Sequence, residues 1–189
     1  MPNILAARID NRLIHGQVGM TWVNSLQANL ILVANDEVSK DTVQQSLMDM
    51  VVPSGVQTRY FSIEKTAQVI NKASDRQKIL LVVKTIADVE RLTKLGLKLD
   101  EWIVGNLHFS EGKKQITSTV SVTEEEVNIF KNLMKQNIRF TIKGVPSDSG
   151  QDMSKLIWGG LLYVITSYFN RYMGWDLWNR SIWWSWINS

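Results

Sequence analysis

Short apolar or β-branched runs recur along the chain at Ile4–Ile9, Leu30–Ala34, Val56–Phe61, Ile79–Val83, Trp102–Val104 and Ile138–Ile142. Most are apolar at nearly every position, the pattern of strands covered on both faces of a parallel sheet. Stretches of helical period separate them. Val18, Trp22 and Leu26 recur within Gly16–Leu26, Val43, Leu47 and Met50 within Thr42–Met50, Ile63, Ala67 and Ile70 within Ile63–Ile70, and Val89, Leu92 and Leu95 within Ile86–Leu95. Such alternation predicts an α/β fold: an open, mostly parallel sheet with helices on both faces and right-handed crossovers.

The punctuation agrees with this division. Thr123 followed by Glu126 is a capping box opening a helix with Val127, Phe130, Leu133 and Met134 as its inner stripe. Gly96 stands where the helix ending at Leu95 needs a left-handed residue. His108–Val122 has Glu111-Gly112-Lys113 between short β-prone runs and reads as a hairpin or an irregular excursion. Val145–Gly150 reads as the exit from the last strand.

Composition narrows the chemistry. The 189 residues suit a single main domain, and a net charge of +3 does not point to nucleic acid as a partner. With no cysteine, disulfides, thiolate metal sites and cysteine nucleophiles are excluded, and a total of two histidines, His15 and His108, argues against a multi-histidine metal centre. The start MPNILAARID lacks a basic segment followed by an apolar one, so no secretory signal is expected.

In an open parallel sheet, ligands gather at the carboxyl ends of the strands. The first such loop, Asp10–Gly16, gathers Arg8, Asp10, Arg12 and His15 within eight residues. A histidine at a helix N-terminus sees amide N–H groups and the positive end of a dipole, which favour an anion beside it. Arg8 and Arg12 offer planar, permanently charged donors for phosphate oxygens. Asp10 can fix the imidazole tautomer and leave one ring nitrogen as nucleophile. Taken singly, each residue has an ordinary role: a turn or cap for Asp10, a solvated charge for either arginine, a surface or cap position for His15. The cluster suits phosphoryl transfer to and from histidine, and equally a non-catalytic regulatory module that binds a phosphorylated ligand. A nucleotide-dependent kinase is disfavoured: neither G-x-G-x-x-G nor G-x-x-x-x-G-K-[ST] occurs, and no acidic pair for magnesium is evident.

The run Arg8-Ile9-Asp10-Asn11-Arg12-Leu13-Ile14-His15-Gly16-Gln17-Val18, followed by Trp22, resembles the signature of the IIB components of the mannose/fructose/sorbose class of the bacterial phosphotransferase system. The likeness continues through Val33–Val38, Lys78–Thr85, Val104–His108 and Gly144–Pro146, covers about residues 1–157, and within the class is nearest the branch for N-acetylgalactosamine or galactosamine. The resemblance implies a cytoplasmic phosphocarrier at the inner face of the plasma membrane. It would take a phosphoryl group from phosphohistidine of a IIA component and give it to a sugar carried by membrane IIC and IID components, with no cofactor and no metal. His15 matches the phosphorylated histidine, with attachment at Nδ1. Arg12 matches the loop arginine that neutralises the phosphoryl group, with Asp10, Arg8, Gly16 and Gln17 as companions in the motif. Lys84 and Thr85 fall at another carboxyl-end loop, and His108 on the same rim.

Beyond Lys155 the composition changes. Six of the eight tryptophans lie in residues 158–189, and Leu156–Asn170 carries no charge. Fifteen uncharged residues with two adjacent glycines fall short of the roughly 20 that a spanning helix needs. The family pattern stops near Ile157, so this apolar extension inherits no role from it. Three readings stand: a helix packing on its own domain or on another copy, a helix lying on the membrane surface, or an appendage without function. Deleting residues 158–189 distinguishes them: a changed oligomeric state supports the first, lost liposome binding the second, and no change in either the third.

Overall fold

The computed structural model describes residues 2–158 of the chain. All the expected strands form: β1 (Ile4–Asp10), β2 (Leu30–Ala34), β3 (Gln57–Phe61), β4 (Ile79–Val83), β5 (Glu101–Asn106) and, after the short pair β6 (Lys114–Gln115) and β7 (Ser121–Val122), β8 (Arg139–Ile142). A further two-residue strand, β9 (Gln151–Asp152), closes the series. The main sheet runs β3-β2-β4-β1-β5-β8-β9, parallel except for antiparallel β9. These strands lie in one compact unit that ends at Met153. Most of the Trp-rich extension expected over 158–189 falls outside the described residues.

The continuous apolarity of β2 and β4 has the expected cause, since every residue of both is buried. Alternate side chains point to opposite faces. Ile31, Val33, Leu80 and Val82 join Leu13, Val18, Trp22, Val23 and Met48 in a core under α1 (Val23–Leu26) and α2 (Thr42–Asp49). On the other face α3 (Ile63–Val69), α4 (Ile86–Lys94) and α5 (Glu124–Met134) sit side by side. Phe130 of α5 meets Phe140 of β8 edge to face, with ring centroids 4.9 Å apart. Right-handed crossovers require this division, because connections running towards β3 and those running towards β8 must cover opposite faces. The chain leaves β1 towards β3 and leaves β5 towards β8, so the order reverses between these neighbours. That crevice is where a ligand site is expected.

Helix starts follow the caps. Thr85 and Thr123 each form a full capping box, with Asp88 and Glu126, and Asp41 and Ser62 accept backbone N–H bonds at the starts of α2 and α3. Gly96 has φ +96°.

Four features depart from the sequence pattern. The helix expected over Gly16–Leu26 opens as a π-helical turn, Gln17–Trp22, before α1. The apolar period of α2 faces outward, with Val43, Leu47 and Met50 exposed at 70%, 61% and 80%. Polar anchors set that rotation. Gln45 Nε2 donates to the Val38 carbonyl, and Asp49 accepts from Tyr60 and Thr58, so the side carrying Gln45 and Met48 turns inward with Asp49, itself exposed, at its edge. In the excursion after β5, the chain turns twice: at Ser110–Lys113, where Lys113 N–H bonds to the Ser110 carbonyl, and again at residues 116–120, with Ile116 N–H and Thr117 N–H both bonded to the Val120 carbonyl. The exit after β8 returns as β9.

The π-helical turn packs tightly against the segment after α2. A Cβ on Gly19 would lie 2.5 Å from the Val51 carbonyl oxygen and 3.2 Å from its carbon, both backbone atoms. Gly19→Ala should therefore destabilise the protein by about 1–3 kcal/mol, read as a lower denaturant midpoint.

Candidate active site

The carboxyl end of β1 feeds a tight turn in which Leu13 N–H bonds to the Asp10 carbonyl at 2.9 Å. Leu13 has φ +57°, a left-handed conformation costly for a branched side chain, and is held there by burial at 1% exposure. Ile14 is buried beside it, and these two anchors present His15, half-buried, at the start of the π-helical turn. The Gly19 N–H bonds to the His15 carbonyl at 2.7 Å.

Asp10 is fully buried and collects the charged groups of the loop. Its Oδ2 accepts from Arg8 Nη2 at 2.9 Å, Arg8 Nε at 3.2 Å and His15 Nε2 at 3.2 Å; its Oδ1 accepts from Arg12 N and Nε at 3.1 and 3.2 Å. Burial alone would raise the Asp10 pKa. The hydrogen bonds from His15 and Arg12 and the charge of Arg8 outweigh it and hold the group down at about 2. An ionised carboxylate only accepts, so the network places the imidazole proton on Nε2. Nδ1 has no hydrogen-bond partner among the described residues, and in the neutral ring it is the nitrogen that carries the lone pair.

Arg8 is itself buried under the Trp22 ring, 5.0 Å from its centroid. Its Nη1 donates to the Lys143 carbonyl at 2.9 Å and its Nη2 to the Gly144 carbonyl at 3.3 Å, where Trp22 Nε1 also donates at 3.0 Å. Desolvation lowers its pKa, with the Asp10 charge opposing. Arg12 is exposed beside His15, with Nη2 also 3.4 Å from the Gln17 side-chain oxygen, and Gly16 is exposed.

The remaining sequence candidates occupy the same edge with local partners. Lys84 Nζ pairs with Glu37 at 2.7 Å, and the Thr85 hydroxyl caps α4. The His108 Nδ1 lies 2.8 Å from Asn106 Nδ2, and its backbone N–H donates to Asn11 Oδ1 at 2.6 Å. Asn11 also donates through Nδ2 to the Lys84 carbonyl and through its backbone N–H to the Asn106 carbonyl. It thus ties the ends of β1, β4 and β5 together. Nothing in its type or spacing singles it out, because each partner is remote in sequence. Among the described residues no group of three or more His, Asp or Glu side chains is arranged to hold a metal ion, and no helix is long and apolar enough to cross a membrane.

Residues 4–161 match the family model of the PTS system sorbose subfamily IIB component. The chain belongs to this family. It is 48% identical over 157 residues to the N-acetylgalactosamine-specific phosphotransferase enzyme IIB component 2 of Escherichia coli K12, a match covering 83% of this chain and all of that protein. It is 36% identical over 152 residues to the mannose-specific EIIAB component of the same organism, covering 80% of this chain and 47% of that longer one. The crystal structure of an N-acetylgalactosamine IIB component from Streptococcus pyogenes superposes with a TM-score of 0.77 at 40% identity, covering 82% of this chain and 97% of the other. The protein is accordingly a IIB component of a sugar phosphotransferase system and a phosphotransferase. IIB components in general work with IIA components and with membrane IIC and IID components.

For this IIB chain the buried carboxylate makes stability pH-dependent. The folded pKa of Asp10 lies below its ordinary 3.8, so its contribution is complete above that value and is lost as pH falls towards 2. The shift corresponds to on the order of 2 kcal/mol at neutral pH. Asp10→Asn should lower stability at pH 7 and flatten its dependence between pH 4 and 2, as measured by denaturant midpoints across that range.

Proposed function

We propose that this IIB chain takes a phosphoryl group from phosphohistidine of a IIA component onto His15 Nδ1 and hands it to a sugar bound by membrane IIC and IID components. The observation that carries the reading is the state of the imidazole: Nε2 is tied to Asp10, while Nδ1 is left with its lone pair at the functional edge of the sheet, beside Arg12. In the first step the Nδ1 lone pair forms a bond to phosphorus as the donor's N–P bond breaks and its electrons return to the donor imidazole. In the second, a sugar hydroxyl oxygen bonds to phosphorus, the His15 N–P bond breaks, and the hydroxyl proton leaves to solvent or a base on the sugar-binding partner. The charge moves on oxygens, so positioning and cationic neutralisation do most of the work. Arg12, exposed and already oriented by Asp10, is the guanidinium for the equatorial oxygens. Asp10 stabilises the positive charge that spreads over the ring when phosphorus bonds to nitrogen. The phosphoryl group is carried covalently, and the scheme uses no cofactor, metal or nucleic acid.

The name of the 48% identical relative supports N-acetylgalactosamine, or galactosamine, as the sugar, and the mannose-specific EIIAB relative supports a IIA donor. The phosphotransfer is assigned to residues 1–157, working in the cytoplasm against membrane partners.

Incubation with a phosphorylated IIA component, followed by mass spectrometry, should locate an acid-labile phosphoryl group on His15. A protein that binds phosphate compounds but never becomes labelled would be a regulatory module instead. His15→Ala should abolish labelling with the fold intact by circular dichroism. Arg12→Ala should slow transfer by about 10²–10³-fold, the scale seen when one charge-stabilising donor is removed, while changing affinity for IIA far less.

A further inference from the structure

The guanidinium of Arg8 occupies a slot with two walls. One wall is the Trp22 ring. The other is the backbone of Gly105 in β5, the strand that pairs with β1 so that Arg8 lies opposite Ile103. A Cβ built on Gly105 would fall 2.0 Å from Arg8 Cζ, 2.0 Å from Nη2 and 2.5 Å from Nε. Those distances are far inside van der Waals contact, so any side chain at position 105 and the present guanidinium exclude each other. Gly105 does not have a positive φ, so its conformation does not require glycine; the space above it does.

An arginine tip often yields to a neighbour by swinging away. This one has nowhere to go. It is fully buried, its opposite face is covered by Trp22, and its nitrogens are committed to Asp10 Oδ2 and to the carbonyls of Lys143 and Gly144. Displacing it would leave buried acceptors unmatched and strip Asp10 of the cation that shares Oδ2 with His15.

We propose that Gly105 and Trp22 are positioning residues for phosphoryl transfer: the missing side chain of one and the indole of the other hold Arg8 against Asp10, and through Asp10 they set the tautomer and charge of His15. The inference rests on His15 being the phosphoryl acceptor. Arg8 and Asp10 together are neutral, so the carboxylate orients the imidazole without exerting its full pull on a second proton. With Arg8 displaced, that pull falls on His15 and favours the imidazolium, which has no lone pair at Nδ1. The charged and titratable groups facing this cluster are Arg8 and Asp10 from β1, Arg12 and His15 from the loop, and Asp148 from the segment leaving β8, where Lys143 meets Arg8 through its backbone carbonyl.

The test compares wild type, Gly105→Ala, Arg8→Ala and the double variant by rate of labelling from phosphorylated IIA and by ¹⁵N NMR of the His15 ring. Gly105→Ala should slow labelling at least tenfold, move its pH profile to higher pH, and change the tautomer signature of His15. In the Arg8→Ala background, which empties the slot, the same substitution should cost nothing further. A rate within twofold of wild type, or effects that simply multiply in the double variant as a general distortion of β5 would make them, overturns the proposal. If Gly105→Ala does not fold, Trp22→Phe, which keeps an aromatic wall but drops the bond to the Gly144 carbonyl, should give a smaller loss of rate with the same upward pH displacement; an unmoved profile overturns it. If wild-type His15 takes no label, the acceptor reading has failed, and the NMR comparison still decides the positioning: an unchanged ring signature in Gly105→Ala rules it out.

Discussion

One buried carboxylate organises this protein. Asp10 sits at the end of the central strand with no exposed surface, and everything charged in the first loop turns towards it. An isolated carboxylate there would be protonated or would unfold its surroundings, because desolvation costs several kcal/mol per ion. Arg8, Arg12 and His15 supply the compensation. The arrangement is asymmetric in what it leaves over. Arg8 is spent on structure, bridging to the chain after β8, whereas Arg12 and one ring nitrogen of His15 still face solvent. The loop thus has a neutral foundation and a cationic surface.

The sheet topology determines why this carboxylate stands where it does. β1 lies between β4 and β5 at the reversal of strand order, so its end is flanked by two parallel neighbours and by loops departing in opposite directions. Asn11 stitches that junction, bonding to backbone at the ends of β4 and β5. Its side-chain amide suits the task because it donates and accepts at once, which an ionised carboxylate of the same length cannot do.

Much of the fold was legible in the chain because burial on both faces leaves an unmistakable run, as in Leu30–Ala34 and Ile79–Val83, and because Thr123 and Glu126 announce a helix start. Rotation of α2 was not, since Gln45 and Asp49 outbid an apolar period that seemed to define the inner side; the decisive partners, Val38 and Tyr60, come from other elements. β9 carries no apolar signal at all. In the site, Arg8, Asp10, Arg12 and His15 could be read because one loop holds them. Lys84 and Thr85 reach the right edge, but nearer partners claim their side chains. The slot around Arg8 was out of reach for a different reason: its walls, residues 22 and 105, are separated by more than eighty positions, and a glycine required for its emptiness looks like any other.

Leu13 adds a constraint on how the site comes into being. Its left-handed backbone costs about 1–2 kcal/mol for an L-residue, whereas burying a leucine side chain returns about 1.5–3 kcal/mol. A glycine would adopt this conformation without that cost; leucine relies on the core under α1, which receives its side chain. The geometry of this loop therefore depends on core packing as well as on its local sequence. A change that loosens the core under α1 would therefore shift the placement of His15 without altering any residue of the loop itself.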